Sequence, residues 1–186
     1  MRCFIAIELS EEIKNELGRI QSHLRFADAD VTWTKKDRIH LTLKFLGEIP
    51  EEKVAEISET LDEAVSSTAS FEISLSEVGV FPKPSHPRVI WVGIENGRSE
   101  SIELAGLINE KLATLGFEKE DRPFNAHLTL GRVKSLKNRE ALVRKMESAN
   151  IGKPLSQPVN SIILFKSVLT PNGPIYTKLH ESFLAD

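Results

Sequence analysis

The sequence predicts an α+β protein built from two similar halves. The tetrapeptide His-Leu-Thr-Leu occurs at residues 40–43 and again at 127–130, an offset of 87 residues (127 − 40). The same offset superimposes the apolar run 4–8 on the apolar run 91–95, so the repeat extends beyond the tetrapeptide. Helical and strand patterns interleave, but several connections are too short for a parallel crossover, which favours mainly antiparallel sheets. We therefore expect one bilobal domain over residues 1–186, with an internal repeat of about 1–86 and 87–186 related by a pseudo-twofold axis.

The first half begins with an apolar strand and a well-marked helix. Ser10 is a typical N-cap residue, and the acidic pair Glu11 and Glu12 suits the positive end of a helix dipole. In the motif strand, side chains two residues apart share a face, so His40 and Thr42 should lie side by side. In chain order we expect a strand over 1–9, a helix over about 11–24, a loop over 25–37, the motif strand over 38–44, a helix over about 51–65 and a strand over 71–75.

The second half repeats this order after the only proline-dense stretch, residues 81–87, where the first copy should hand over to the second. Asn138 is the expected cap of the fourth helix. A Pro-Asn-Gly-Pro turn at 171–174 predicts a terminal hairpin. The expected elements are a strand over 89–94, a helix over about 98–112, the motif strand over 124–133, a helix from about 139 to 149, and strands over 159–169 and 175–179.

Composition excludes several classes of protein. The longest apolar runs are far shorter than the roughly 20 residues of a membrane span, and the N-terminus does not have the layout of a secretory signal. The single cysteine, Cys3, cannot form an internal disulfide and should be a small core residue. A net charge of −3 argues against a broad, sequence-independent nucleic-acid binder. We expect a soluble, cytoplasmic protein without contact with a membrane.

Basic residues nevertheless cluster around both motifs, which favours a small anionic ligand. Around the first motif they are Lys35, Lys36, Arg38 and Lys44, and around the second they are Arg122, Arg132 and Lys134.

The duplicated His-Thr pairs suit in-line displacement at phosphorus. A pseudo-twofold axis would place His40 and His127 on either side of one cleft. Such a reaction needs a base on the attacking oxygen and an acid on the leaving oxygen, and histidine can serve as both near neutral pH. Thr42 and Thr129 would donate hydrogen bonds to the non-bridging phosphate oxygens.

Two other interpretations of these histidines compete with this one. A lone histidine on a strand is usually structural, but the same His-x-Thr pattern in register in both copies argues against that interpretation. A zinc site usually takes three or four ligands, and neither motif contains an acidic residue. We therefore expect no metal and no cofactor.

The two His-Leu-Thr-Leu motifs, the internal duplication and the N-terminal run 2–7 together resemble the two-histidine phosphoesterases over essentially the whole chain. The most similar branch is that of the RNA 2′,3′-cyclic phosphodiesterases, also named 2′-5′ RNA ligases. The resemblance implies a V-shaped cleft between two lobes and metal-independent hydrolysis of a 2′,3′-cyclic phosphate to a 2′-phosphomonoester. It also implies that His40 donates a proton to the leaving oxygen and that His127 activates water. The two motifs are nearly identical, so the sequence alone does not show which histidine is the acid and which is the base.

Arg132 and Phe45 are further candidates for substrate binding. The branch often carries a basic residue shortly after the second motif, but strict alternation places position 132 on the face opposite His127. The assignment therefore requires a bulge, which Gly131 favours. Phe45 occupies the equivalent position in the first copy (45 + 87 = 132) and could stack against a base or ribose, or lie in the core.

The expected substrates are RNA with 2′,3′-cyclic phosphate ends or small cyclic nucleotides, and the expected state is a monomer. One alternative is 2′-5′ RNA ligation as the main activity. The other is a non-catalytic nucleotide- or RNA-binding module, against which the two complete motifs argue.

Overall fold

The computed structural model describes residues 1–152 and 155–186. Its elements are β1 (Arg2–Ile7), α1 (Glu11–Arg25), β2 (Val31–Trp33), a 3₁₀ turn (Lys36–Arg38), β3 (Leu41–Glu48), α2 (Lys53–Val65), β4 (Phe71–Lys83), β5 (His86–Ile94), α3 (Arg98–Ala113), β6 (His127–Val133), α4 (Arg139–Glu147), β7 (Ser156–Val159), β8 (Ser161–Thr170) and β9 (Gly173–Phe183).

The strands form two sheets. Sheet A has the order β3-β1-β8-β9, and sheet B has the order β2-β6-β5-β4-β7. Every pair of neighbouring strands is antiparallel. The predicted α+β class with antiparallel sheets is therefore confirmed.

Each sheet takes strands from both copies of the sequence repeat. The proline-dense stretch is not a linker, because β4 and β5 run to Lys83 and from His86 and pair with one another as a hairpin. The connection between β4 and β5 is only two residues long, so these two strands pair with each other, and β4 does not join β1 in sheet A. In the same way, β1 of the first copy pairs with β8 of the second. The two lobes of the structure therefore do not coincide with the two halves of the sequence.

Helices cover one side of each sheet. Helices α1 and α4 contact each other, while α2 and α3 contact each other and reach β9 and β3 of sheet A. The Gln21 side chain ties α1 to sheet B, since its Nε2 donates to the Leu130 carbonyl at 2.8 Å and to the Thr34 carbonyl at 2.7 Å. The predicted loop over 25–37 contains β2 and the first two residues of the 3₁₀ turn, and both elements are too short to produce a periodic signal.

The main hydrophobic core lies between the helices and the sheets, and Cys3 is part of it as expected. A second, smaller cluster is formed by Phe4, Ala6, Ile163 and Phe165, with Tyr176 packed against it. Within the described part of the chain, no helix is long and apolar enough to cross a membrane.

Candidate active site

The two motif histidines are oriented by the same backbone contact. Nδ1 of His40 lies 2.9 Å from the Arg38 carbonyl, and Nδ1 of His127 lies 2.7 Å from the Asn125 carbonyl. A carbonyl oxygen can only accept, so Nδ1 carries the hydrogen in both rings and Nε2 is the nitrogen left to meet a ligand. Each histidine is therefore held in one tautomer by the residue two positions before it.

His40 lies just before its strand, whereas the sequence predicted a strand over 38–44. Strand β3 begins at Leu41, because the 3₁₀ turn ends with the Ile39 amide donating to the Lys36 carbonyl at 3.2 Å. His127 is the first residue of β6. Both rings thus lie at strand entrances, where the preceding backbone is free to bond the ring.

A bulge in each motif strand determines which later residues share a face with the His-Thr pair. In β3, Thr42 pairs with Ala6 and Lys44 pairs with Ile5, which leaves Leu43 as the extra residue. Leu43 and Lys44 are consequently both buried, and Phe45 returns to the face of Thr42. The Phe45 ring lies 6.1 Å from that of Phe4 and is 61% exposed, so it is not a core residue.

The same bulge occurs in β6. Thr129 pairs with Trp91 and Gly131 with Ile90, which leaves Leu130 as the extra residue. Leu130 and Gly131 are both buried, and Arg132 is exposed on the face of Thr129. The bulge that the interpretation of Arg132 required is therefore present, and it has a counterpart in the other copy.

Lys44 was expected among the basic residues that surround the first motif, and this expectation is wrong. The bulge turns its side chain away from His40 into the protein, where it is 3% exposed. Its Nζ donates to Asn109 Oδ1 at 2.6 Å and to the Glu118 carbonyl at 2.9 Å. Lys44 therefore ties β3 to α3 and to the segment that leads into β6.

Aromatic rings surround His40. It stacks on Phe4 with 4.7 Å between ring centroids, and the Tyr176 ring meets it edge-on at 5.3 Å. This desolvation lowers the pKa of His40 to about 4, although the hydrogen bond to the Arg38 carbonyl acts in the opposite direction. His40 is therefore neutral near pH 7 in the absence of a bound anion. His127 meets the edge of Phe81 at 5.1 Å.

Three arginines from different elements act on the Tyr176 hydroxyl. Burial raises the pKa of Tyr176, and the charges of Arg38, Arg2 and Arg132 oppose that rise. Arg132 belongs to β6 of sheet B, whereas Tyr176 contacts His40 on sheet A, and β3 and β6 also contact each other. These contacts bring the two motif strands together at one site.

Sequence patterns did not place Phe4 and Tyr176 next to His40, or Arg2 near Tyr176. Arg2 and Phe4 belong to the predicted apolar strand 1–9, and Tyr176 belongs to the predicted terminal hairpin. The local pattern predicts these strands but not which residues their side chains contact. Within residues 1–152 and 155–186, no group of three or more His, Cys, Asp or Glu side chains is arranged as metal ligands.

The chain is similar to known phosphoesterases along its whole length. The family model for LigT-like phosphoesterases matches twice, at residues 7–91 and 92–176. An RNA 2′,3′-cyclic phosphodiesterase from Archaeoglobus fulgidus is 41% identical over 181 residues, which cover 96% of this chain and 98% of that protein. The protein of the same name from Methanothermobacter thermautotrophicus is 36% identical over 182 residues, which cover 96% of each chain.

Solved structures show the same fold. The protein TT0787 of Thermus thermophilus matches with a TM-score of 0.81 and 28% identity, covering 99% of this chain and 98% of that chain. E. coli LigT complexed with 3′-AMP matches with a TM-score of 0.80 and 26% identity, covering 100% of this chain and 98% of that chain.

Proposed function

The chain belongs to the LigT-like phosphoesterase family, and we propose that it hydrolyses 2′,3′-cyclic phosphate ends of RNA to 2′-phosphomonoesters. The observation that carries this proposal is the pair of histidines held in the same tautomer. Each donates Nδ1–H to a carbonyl two residues earlier, which leaves Nε2 for the substrate, and each is followed two residues later by a threonine. The names of the relatives from Archaeoglobus fulgidus and Methanothermobacter thermautotrophicus support the same reaction.

In this reaction a water oxygen bonds to phosphorus while the bond from phosphorus to the ribose O3′ breaks. Nε2 of one histidine accepts the proton of the attacking water. Nε2–H of the other histidine gives its proton to O3′, so a 3′-hydroxyl and a 2′-phosphate result. The threonine hydroxyls of Thr42 and Thr129 donate to the non-bridging oxygens, and Arg132 offsets their charge. Phe45 stacks against the base or the ribose.

We assign the acid to His40 and the base to His127, following the family. Burial holds the free His40 ring neutral near pH 7. A phosphodiester anion beside Nε2 raises the pKa of that ring, because the opposite charge favours the imidazolium. His40 therefore gains its proton together with the substrate, and the charged form exists mainly in the complex. The reaction needs one histidine neutral and the other protonated, so turnover should be bell-shaped in pH.

The test uses two substrates, adenosine 2′,3′-cyclic phosphate and a short RNA with a 2′,3′-cyclic phosphate end. Both are incubated with the protein in a strong chelator, and the product is identified by chromatography against 2′- and 3′-phosphate standards. We expect the 2′-phosphate from both substrates. His127→Ala should lower turnover by about 10²–10⁴. His23→Ala is the matched control, because His23 lies on α1 and bonds the Lys145 carbonyl.

Two results would contradict the proposal. One is that neither substrate is hydrolysed, even at high protein concentration. The other is turnover by His127→Ala that equals that of the His23→Ala control. If chelation abolishes activity and added zinc or manganese restores it, the reaction depends on a metal, and the proposed mechanism with two histidines as acid and base is wrong.

A further inference from the structure

One end of sheet A combines exposed apolar side chains with arginines on the face that carries the catalytic site. Arg2 lies two residues before Phe4, and both residues pair in regular register with β8, so they share a face. The β8–β9 pairing continues without a shift from Phe165 to the turn, which places Leu169 on the face of Tyr176. The Leu169 side chain is 68% exposed. We call Arg2, Arg38, Leu169 and Tyr176 the hairpin surface.

The hairpin surface is positively charged and open. Arg2, Arg38 and Arg132 act on the Tyr176 hydroxyl from β1, the 3₁₀ turn and β6. In the part of the chain that the structure describes, none of these three guanidinium groups forms an ion pair with a carboxylate. Arg38 is held in place, because its Nη1 donates to the Asn172 carbonyl in the turn at 3.1 Å. Within the described residues, carboxylates therefore do not neutralise these arginines.

The opposite end of the same face carries two carboxylates. Glu8 lies two residues after Ala6, and Glu181 pairs with Ile163, so both carboxylates face the same side as the small aromatic cluster. They line a shallow pocket of about 310 Å³. Lys178 forms an ion pair with Glu8 at 2.6 Å, so Glu8, Glu181 and Lys178 give this end no excess of positive charge. The hairpin end carries Arg2 and Arg38, so a polyanion bound at the histidines is attracted towards the hairpin.

We propose that the hairpin surface binds the nucleotides on the 5′ side of the terminal cyclic phosphate. This inference rests on the proposed function and narrows its substrate to the end of an RNA strand in preference to a free cyclic nucleotide. Arg2 and Arg38 contact backbone phosphates, and Leu169 packs against the face of a base. An RNA strand fits better than an apolar protein segment, because its phosphates complement the charge of the arginines.

The apolar part is tested with Leu169→Ser. We expect the wild-type protein to hydrolyse a trinucleotide with a cyclic phosphate end with a kcat/KM about tenfold above that for adenosine 2′,3′-cyclic phosphate. Leu169→Ser should lower the trinucleotide value about fivefold through KM and leave the mononucleotide value unchanged. Val168→Ser is the matched control. Val168 is the neighbouring exposed residue, 46% exposed, but it pairs with Ile175 and lies on the other face of β8.

The charged part is tested with Arg2→Gln. Each phosphate contact to a single strand contributes about −0.7 to the slope of log affinity against log salt concentration. Arg2→Gln should therefore reduce the slope of log kcat/KM for the trinucleotide by about 0.7. The exposed Arg98, at the start of α3, provides the control Arg98→Gln, which should leave the slope unchanged.

Failure of this inference and failure of the proposed function give different results. Equal kcat/KM values for the two substrates, or equal effects of Leu169→Ser on both, would overturn the proposed role of the hairpin surface. The proposed hydrolysis would be unaffected by either result. If neither substrate is hydrolysed, binding of a 3′-phosphorylated trinucleotide, measured by fluorescence anisotropy, still tests the hairpin surface. Leu169→Ser should weaken this binding about fivefold, and unchanged binding would overturn the inference. A dimer in light scattering that Leu169→Ser dissociates would assign the surface to a second copy of the chain and overturn the inference.

Discussion

Acid should destabilise this protein through His40, because the folded state binds the His40 proton more weakly than the unfolded state does. The pKa of the ring falls from an ordinary value of 6.5 to about 4 on folding, mainly by burial against Phe4 and Tyr176. The sign follows from linkage: between these two values the unfolded chain binds more protons, so the free energy of unfolding decreases as pH decreases. The contribution is fully present above about pH 6.5 and is lost progressively towards pH 4.

The size of the effect follows from the same two values. Integration gives a loss of about 2 kcal/mol at pH 5 and about 3 kcal/mol at pH 4, relative to neutral pH. A domain of this size has a total free energy of unfolding of about 5–15 kcal/mol, so the loss is large enough to measure. Other groups also titrate in this range, and the His40 part must therefore be isolated by substitution.

Urea unfolding at pH 7, 5 and 4 provides the measurement. In His40→Asn the amide can still donate to the Arg38 carbonyl, but the titrating group is gone. The difference between wild-type protein and His40→Asn should therefore change by about 3 kcal/mol from pH 7 to pH 4. The matched variant is His127→Asn, which alters the equivalent ring and leaves the Phe4 and Tyr176 contacts with His40 intact. An identical pH dependence in wild-type protein and His40→Asn, or an NMR titration of His40 near 6.5, would refute the reasoning.

Three further predictions concern the pair of histidines, the threonines and Lys44. The double variant of His40 and His127 to Ala should lose far less turnover than the product of the two single losses, because the histidines act as a unit; full additivity in steady-state kinetics would contradict this. Thr129→Val should lower kcat but leave the bell-shaped pH profile in place, since the hydroxyl exchanges no proton. Loss of the acidic or the basic limb of the pH profile would contradict this role of Thr129. Lys44→Met should lower the free energy of unfolding by about 1–3 kcal/mol in urea at pH 7, because it removes the buried donor of two partly buried hydrogen bonds, and the exposed control Lys134→Met should change it by less than about 0.5 kcal/mol.

The two motifs have the same sequence but different surroundings, because different strands complete their sheets. His40 lies against rings from β1 and β9, whereas His127 meets Phe81 of β4. Trp91, the counterpart of Phe4 in the offset of 87 residues, lies 5.0 Å from Phe81. Its ring covers Gly79, where a Cβ would collide with it. The duplication therefore supplies two equivalent histidines, and the aromatic packing around His40 lowers the pKa of that ring.

Local patterns in the sequence determined the parts of this protein that depend on near neighbours. The repeated His-Leu-Thr-Leu tetrapeptide showed the duplication and placed each histidine beside a threonine, because side-chain alternation is a property of one strand. Short connections indicated antiparallel sheets, and the sheets are antiparallel. The family resemblance rested on these motifs, the duplication and the N-terminal run 2–7, and the match at residues 7–91 and 92–176 agrees with it.

Tertiary structure decided the parts that depend on which strands pair and what covers them. The bulge after Thr42 turns Lys44 inwards and Phe45 outwards, and the equivalent bulge in β6 puts Arg132 on the face of Thr129. Both bulges are defined only by the register with β1 and β5. The hairpin of β4 and β5 pairs a strand of the first sequence copy with a strand of the second copy. Tyr176 reaches His40 from a position 136 residues away in the chain (176 − 40). Contacts this distant leave no periodic trace in the sequence, because burial and register are set by partners that the local pattern does not contain.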